Sequence, residues 1–543
     1  MGVPGYFSRA VRFAPKSVSP AQRRSCAALY VDFNCLVHRQ VLGAGAKQTA
    51  QDVIDRALEY FELELMPSCA LAPGARVFVA ADGPPPLSKM MQQRGRRFIA
   101  RYKCPLTASA PHTSPARRDR SSHDDPFERS DITPGTPFAA RLDAASARLC
   151  ERLTASRAHG AAEYLYSGTN EPGEGEQKIM SEMRIARSRA AGIGPDVSSA
   201  PQPHVYGLDA DLLLLTMLHG ARTGDWPTVV READELGGKS KKCPGAAAFS
   251  FVDIKQVTAV LAGGVDPRRV RNHVVCSFLC GNDFLPPASC LSVHDGWMGH
   301  LKTLSEDLDL APEAPQRGPP GSPAGGLLVD PAEMGKLLDR LARQEDADFF
   351  RADRRYWEAV APRPRDPEDA WNSYPLLNKD RSLRAIRPGT GGWRSRFYGK
   401  VMGIRHHEDV ANACYTYLAG VAWCAAYYSG GLGRPGDEPS WFYPYHYGPT
   451  TMDLANALAG DGGCGSNRAM RVPGAEDGFP TLRFAPETVR NFVVPPPPGS
   501  ARLSYLFPTS FRLGTYLRHK VWHCPAELPF PLDVTRDVMN LKF

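Results

Sequence analysis

Ala28-Leu-Tyr-Val-Asp32 is a short apolar run that stops on an aspartate, and the chain repeats the device in Val77-Phe-Val-Ala-Ala-Asp82 and Val205-Tyr-Gly-Leu-Asp209. Runs this short and this continuously apolar read as strands buried on both faces. Segments with helical character lie between them, from Gln51 to Met66 and from Gln177 to Ala190. Strands alternating with helices predict an α/β fold, a mostly parallel sheet flanked by helices. Ligands of such sheets gather beyond the carboxyl ends of the strands, which is where the three aspartates fall.

Four more carboxylates stand in related settings. Asp211 follows Asp209 by two residues, a spacing expected to put both on one side of an extended chain. Glu174 and Glu176 lie in Pro172-Gly-Glu-Gly-Glu-Gln-Lys178, a glycine-rich turn that opens a helix. Asp283 lies in Cys280-Gly-Asn-Asp-Phe-Leu-Pro286, another sharp turn, after an apolar helix. Singly, each aspartate reads more readily as a turn or helix cap. Gathered in one pocket, Asp32, Asp82, Glu174, Glu176, Asp209, Asp211 and Asp283 could not stay ionised without cations. Mg²⁺ and Mn²⁺ prefer carboxylate and water oxygens, and two such ions about 3.5–4 Å apart suit an in-line phosphoryl displacement. The seven are therefore the expected catalytic and metal-binding residues, with two Mg²⁺ (or Mn²⁺) ions.

After Asp82 the chain turns basic, with no acidic residue before Asp119. At 100° per residue, Lys89, Gln93, Arg96 and Arg97 fall within about 100° of one helix face, while Arg94 points elsewhere. Three cations and an amide on one face suit a terminal phosphate. A solvated basic helix is the plain alternative, and the nearness of Asp82 favours the phosphate.

A chain of 543 residues predicts two to four domains, and 43% hydrophobic with 23% charged residues supports packed cores throughout. The net charge of +7 is a weak hint of a polyanionic partner. No run of about 18 apolar residues predicts a membrane span, and the N-terminus lacks an apolar signal core, so an intracellular protein is expected. Thirteen cysteines without a C-x-x-C pair read as buried reduced thiols. Residues 104–136 read as an irregular insertion, and 311–327 are Pro- and Gly-rich. The expected division is a first domain carrying the acidic metal site over 1–300, a linker over 301–330, and a mainly helical, aromatic-rich region over 331–543.

These residues resemble the 5′→3′ exoribonuclease (Xrn) family. The resemblance is carried by Met1-Gly-Val-Pro-Gly-Tyr-Phe7, Leu29-Tyr-Val-Asp-Phe-Asn34 with His38, Lys89 to Phe98, Asp131 to Thr136, Pro172 to Met180, Tyr206 to Leu212 and Gly281 to Pro286, in that order. Trp393 to Tyr398 and Ser440 to Pro449 extend it into the second region. It implies a PIN/flap-nuclease-like core and processive removal of nucleotides from single-stranded RNA bearing a 5′-monophosphate, as in RNA decay. It assigns metal binding to the seven carboxylates, 5′-phosphate binding to Lys89, Gln93, Arg96 and Arg97, and base stacking to His38 and Trp441. Three positions depart from the family pattern: Gln177 and Pro287 stand where His is usual, and Cys35 replaces a glycine. The length leaves no room for the extra C-terminal domains of the large cytoplasmic members, so a compact catalytic core is expected. A flap-type structure-specific DNA nuclease, which uses a related acidic site, and an inactive RNA-binding module are the alternatives.

Overall fold

The computed structural model describes residues 2–20, 25–41, 48–93, 127, 129–189, 201–236, 248–292, 296–314, 325–365, 373–377, 379–435, 441–459, 512–513, 516–518 and 526–527. Its centre is a seven-stranded sheet built from β1 (Val18–Ser19), β2 (Cys26–Asp32), β3 (Leu71–Ala80), β4 (Glu163–Ser167), β5 (Gln202–Tyr206), β6 (Thr228–Glu232) and β7 (Phe249–Asp253). The spatial order is β1-β7-β6-β5-β2-β3-β4. The three apolar runs are thus the neighbours β5, β2 and β3, all parallel, with Leu29 opposite Val77 on one side and His204 on the other. β4 and β6 extend the parallel part, while β7 and β1 close one side antiparallel. The fold class expected from the sequence is the one observed.

Strand periodicity explains the two apolar layers, since successive side chains point to opposite faces. Leu29, Val31, Val77 and Val79 face one core with the helices Ala50–Glu59 and Pro137–Ala155. Tyr30, Phe78 and Ala80 face the other. That second layer holds the helices Tyr6–Phe13, Gly175–Arg189, Asp211–Thr223 and Pro267–Leu279. Local signals set many of the helix starts. Thr49 and Asp52 form a reciprocal capping box, and Asp266 and Asp330 cap helices whose first residue is proline. The helix expected over 51–66 changes to a π-turn at Tyr60–Leu65.

The second region is helical and aromatic-rich, as expected, with helices Pro331–Ala342, Glu345–Glu358, Trp393–Phe397, His407–Ser429 and Thr451–Ala459. Its Leu337, Trp393, Tyr417 and Trp423 join Leu214 and Phe278 in one continuous core. The described ends of the Pro- and Gly-rich stretch are tied down: Ala311 and Leu327 are buried, and Glu313 pairs with Leu327. Nine described cysteines are free thiols, eight of them buried. No described helix is long and apolar enough to cross a membrane.

Candidate active site

Parallel neighbours deliver their C-terminal corners to one edge, and the acidic residues collect there. Asp32 is the last residue of β2 and caps the helix Phe33–Arg39, its Oδ1 accepting from Cys35 N–H at 3.3 Å. Asp82 lies two residues beyond β3 and Asp209 three beyond β5. Asp211 corrects one expectation: it opens the helix Asp211–Thr223, so Asp209 and Asp211 bracket a strand-to-helix corner and share no extended strand. Glu174 and Glu176 flank Gly175, where a helix begins. That glycine admits close approach, because a Cβ there would lie 3.0 Å from the Ala80 carbonyl oxygen and 3.3 Å from Asp32 Oδ1. Asp283 sits in a turn made by Gly281 (φ 87°) and by Asn282, whose Oδ1 accepts from the N–H groups of Phe284 and Leu285.

The structure brings all seven carboxylates into one mutually acting group. Burial, then Asp82 and Asp209, push the Asp32 carboxyl up to about 7. Burial, then Asp283, push Asp211 up to about 7 as well. Glu176 is raised well above the carboxylate range by burial and by Glu174, Asp211 and Asp209. Asp82 and Glu174 also rise on burial, and in both the Lys89 ammonium opposes the rise. Like charges crowded in a low-dielectric site resist ionisation, which is the electrostatic signature expected of a cation site.

Protein donors hold many of these oxygens. Cys35 S–H donates to Asp32 Oδ2 at 2.9 Å, Gly175 N–H to Asp82 Oδ1 at 2.7 Å, Val3 N–H to Asp211 Oδ1 at 3.2 Å and Tyr427 O–H to Glu174 Oε1 at 2.7 Å. Lys89 is ion-paired with both Glu174 and Asp283. With the side chains turned onto these donors, no three Asp, Glu, His or Cys groups among the described residues form a ready-made metal cage. The donor chemistry nonetheless fits hard divalent cations. It is carboxylate oxygen, and the buried Glu176 Oε2 has no hydrogen-bond partner.

The expected phosphate grip comes out differently. Lys89 is 3% exposed and spends its charge inside the acidic group, not on an open helix face. Gln93 is half-buried at the last described position of the helix 87–93, and Arg96 and Arg97 lie outside the described residues. His38 is exposed on the helix Phe33–Arg39. Trp441 is buried at 6% exposure, its ring 5.5 Å from that of Trp423 and seated over Gly420, where a Cβ would approach it to 2.5 Å. That burial gives Trp441 a packing role.

Sequence reasoning missed four supporting residues. Asn34 accepts the Asp82 N–H at 3.0 Å, and Lys178 Nζ donates to the carbonyls of Ala81 and Gly168 at 2.8 and 2.7 Å, tying the ends of β3 and β4 together. Tyr427 brings the second region onto Glu174, and Cys35 orients Asp32. Asn34, Cys35 and Lys178 lie within four residues of expected ligands, a signal that could have found them. Tyr427 carries no local signal, since its partner is 253 residues away.

Comparison with known proteins adds an independent line. Residues 1–226 match the family model described as XRN 5′-3′ exonuclease N-terminus, and residues 366–459 match the Xrn1 helical domain. The human 5′-3′ exoribonuclease 1 is 25% identical over 443 residues, covering 70% of this chain and 24% of that protein. The Drosophila melanogaster 5′-3′ exoribonuclease 2 homolog is 22% identical over 519 residues, covering 79% of this chain and 56% of that protein. The Saccharomyces cerevisiae 5′-3′ exoribonuclease 1 is 25% identical over 288 residues, covering 49% of this chain and 18% of that protein. The matched part thus spans between 18% and 56% of the length of these relatives. With two models of one family matched in order over the parallel-sheet region and the helical region, the chain belongs to the XRN 5′-3′ exonuclease family.

Proposed function

We propose that this chain is a 5′→3′ exoribonuclease that hydrolyses single-stranded RNA carrying a 5′-monophosphate and releases nucleoside 5′-monophosphates one after another. The observation that carries the reading is the convergence of seven carboxylates on the C-terminal edge of the parallel strands. Asp32, Asp82, Glu174, Glu176, Asp209, Asp211 and Asp283 are the residues to hold Mg²⁺ or Mn²⁺. When bound, a pair of such ions would supply water activation and neutralisation of the leaving oxygen's charge.

The chain's own groups do the positioning. Cys35 and Asn34 fix Asp32 and the backbone at Asp82, and Tyr427 fixes Glu174 from the helical region. Lys89, Gln93, Arg96 and Arg97 receive the 5′-phosphate, which sets the first phosphodiester over the carboxylates. A triphosphate or a cap would leave charge unpaired there, which selects against it. His38, exposed beside the Asp32 corner, stacks on a leading base, and stacking tolerates any sequence. Residues 1–300 form the nuclease unit in this reading, and 331–543 close it.

The test is the doubly substituted chain Asp209→Ala with Asp211→Ala. Loss of mononucleotide release by at least about a thousandfold, with an unchanged fold by circular dichroism, is expected. Near-normal hydrolysis would refute the assignment.

A further inference from the structure

Lys89 stands out among the charged groups near the acidic cluster. Its backbone N–H is held by Pro86 at 3.0 Å, at the end of the stiff Gly83-Pro-Pro-Pro86 lead-in. From that anchored start the side chain runs inward, past the Phe284 ring at 5.9 Å, to ion pairs with Glu174 and, at 2.9 Å, with Asp283. All three side chains are 4–5% exposed. Lys178, the other nearby lysine, instead gives two of its N–H groups to backbone carbonyls.

A buried ammonium between carboxylates is a poor purely structural choice. Lysine is strongly hydrated and flexible, and the desolvation of a buried pair commonly offsets its attraction. As an exchangeable counter-ion it makes sense. A divalent cation and an ammonium seek the same oxygens of Glu174 and Asp283, and they repel each other at contact distance. Only the four-carbon stem has to rotate for the ammonium to leave, because the backbone is held by the prolines.

We propose that Lys89 is the internal counter-cation of the acidic cluster, competing with divalent ions for Glu174 and Asp283, so that metal loading releases its ammonium to the RNA 5′-phosphate. This rests on the proposed nuclease site and deepens it: metal binding and phosphate binding are coupled through one side chain. The coupling is reciprocal, since whatever holds Lys89 outward lowers the competition at the carboxylates. A lysine that served the phosphate alone would leave metal affinity untouched, and a lysine that only braced the cluster would lower it when removed.

The experiment titrates Mn²⁺ into the full chain without RNA, by calorimetry, for wild type and Lys89→Met. Binding about tenfold tighter in Lys89→Met is expected, together with loss of preference for 5′-phosphate over 5′-hydroxyl RNA. Equal or weaker Mn²⁺ binding in the variant overturns the proposal while leaving the nuclease site intact; no Mn²⁺ binding by either chain overturns both. A second measurement uses wild type alone, following acetylation of Lys89 by mass spectrometry with Mn²⁺ and with chelator. Acetylation several-fold faster with Mn²⁺ is expected, and equal or slower acetylation contradicts the release of the ammonium.

Discussion

Asp32→Asn should make the chain more stable when divalent ions are withheld. Burial with Asp82 and Asp209 holds the Asp32 carboxyl near 7 against an ordinary 3.8. Each tenfold in protonation is worth about 1.4 kcal/mol, so ionising this group at pH 8 costs the fold about 4 kcal/mol. An amide keeps the Cys35 N–H bond to Oδ1, but it sets an N–H group against the thiol, returning about 1–2 kcal/mol. A net gain of about 2 kcal/mol remains. The sign follows from proton binding. A carboxyl raised in the fold binds its proton more tightly folded than unfolded. The penalty is therefore absent below about pH 4, grows between about 4 and 7, and is complete above about 7. The assay is thermal melting in chelator from pH 5 to 8.5. A melting temperature several degrees above wild type at pH 8, shrinking towards pH 5, is expected. A variant equal to or less stable than wild type at pH 8 would show that the cluster is not under electrostatic strain.

Two further substitutions probe the helical region and the core. Tyr427→Phe removes the hydroxyl that donates to Glu174 at 2.7 Å. A loss of about 1.5–3 kcal/mol in transition-state stabilisation, read as a ten- to hundredfold drop in kcat/KM for RNA, is expected with little change in melting temperature. Leu214→Ala empties a fully buried site in the helix Asp211–Thr223, which Asp211 opens. Denaturant unfolding should register about 2–5 kcal/mol of destabilisation, and a cost below about 1 kcal/mol would contradict the packing described.

How legible the fold and site were depends on where each residue's partners lie. β2, β3 and β5 could be read because continuous apolar runs next to aspartate are a local signal, and burial on both faces of a parallel sheet makes them so. β1, two residues long, and the edge strand β4, with its mixed Glu163-Tyr-Leu-Tyr-Ser167 pattern, carry no such signal. Asp211 lies on a helix and not on the extended chain expected for it, since a two-residue spacing fits an extended chain and a strand-to-helix corner alike. Helical periodicity put Lys89 on a face, but it could not say that the facing partners are Glu174 and Asp283. Those partners lie 85 and 194 positions away in sequence. Trp441 differs again: the resemblance implies base stacking for it, and no local pattern announces the tertiary packing against Trp423 and Gly420 that buries it here.

The most direct test compares one single-stranded RNA bearing a 5′-monophosphate, a 5′-triphosphate or a 5′-hydroxyl, with Mg²⁺ and with chelator. Stepwise mononucleotide release from the 5′-monophosphate form alone, abolished by chelator, is expected. Equal degradation of all three ends, or degradation that persists in chelator, would contradict it.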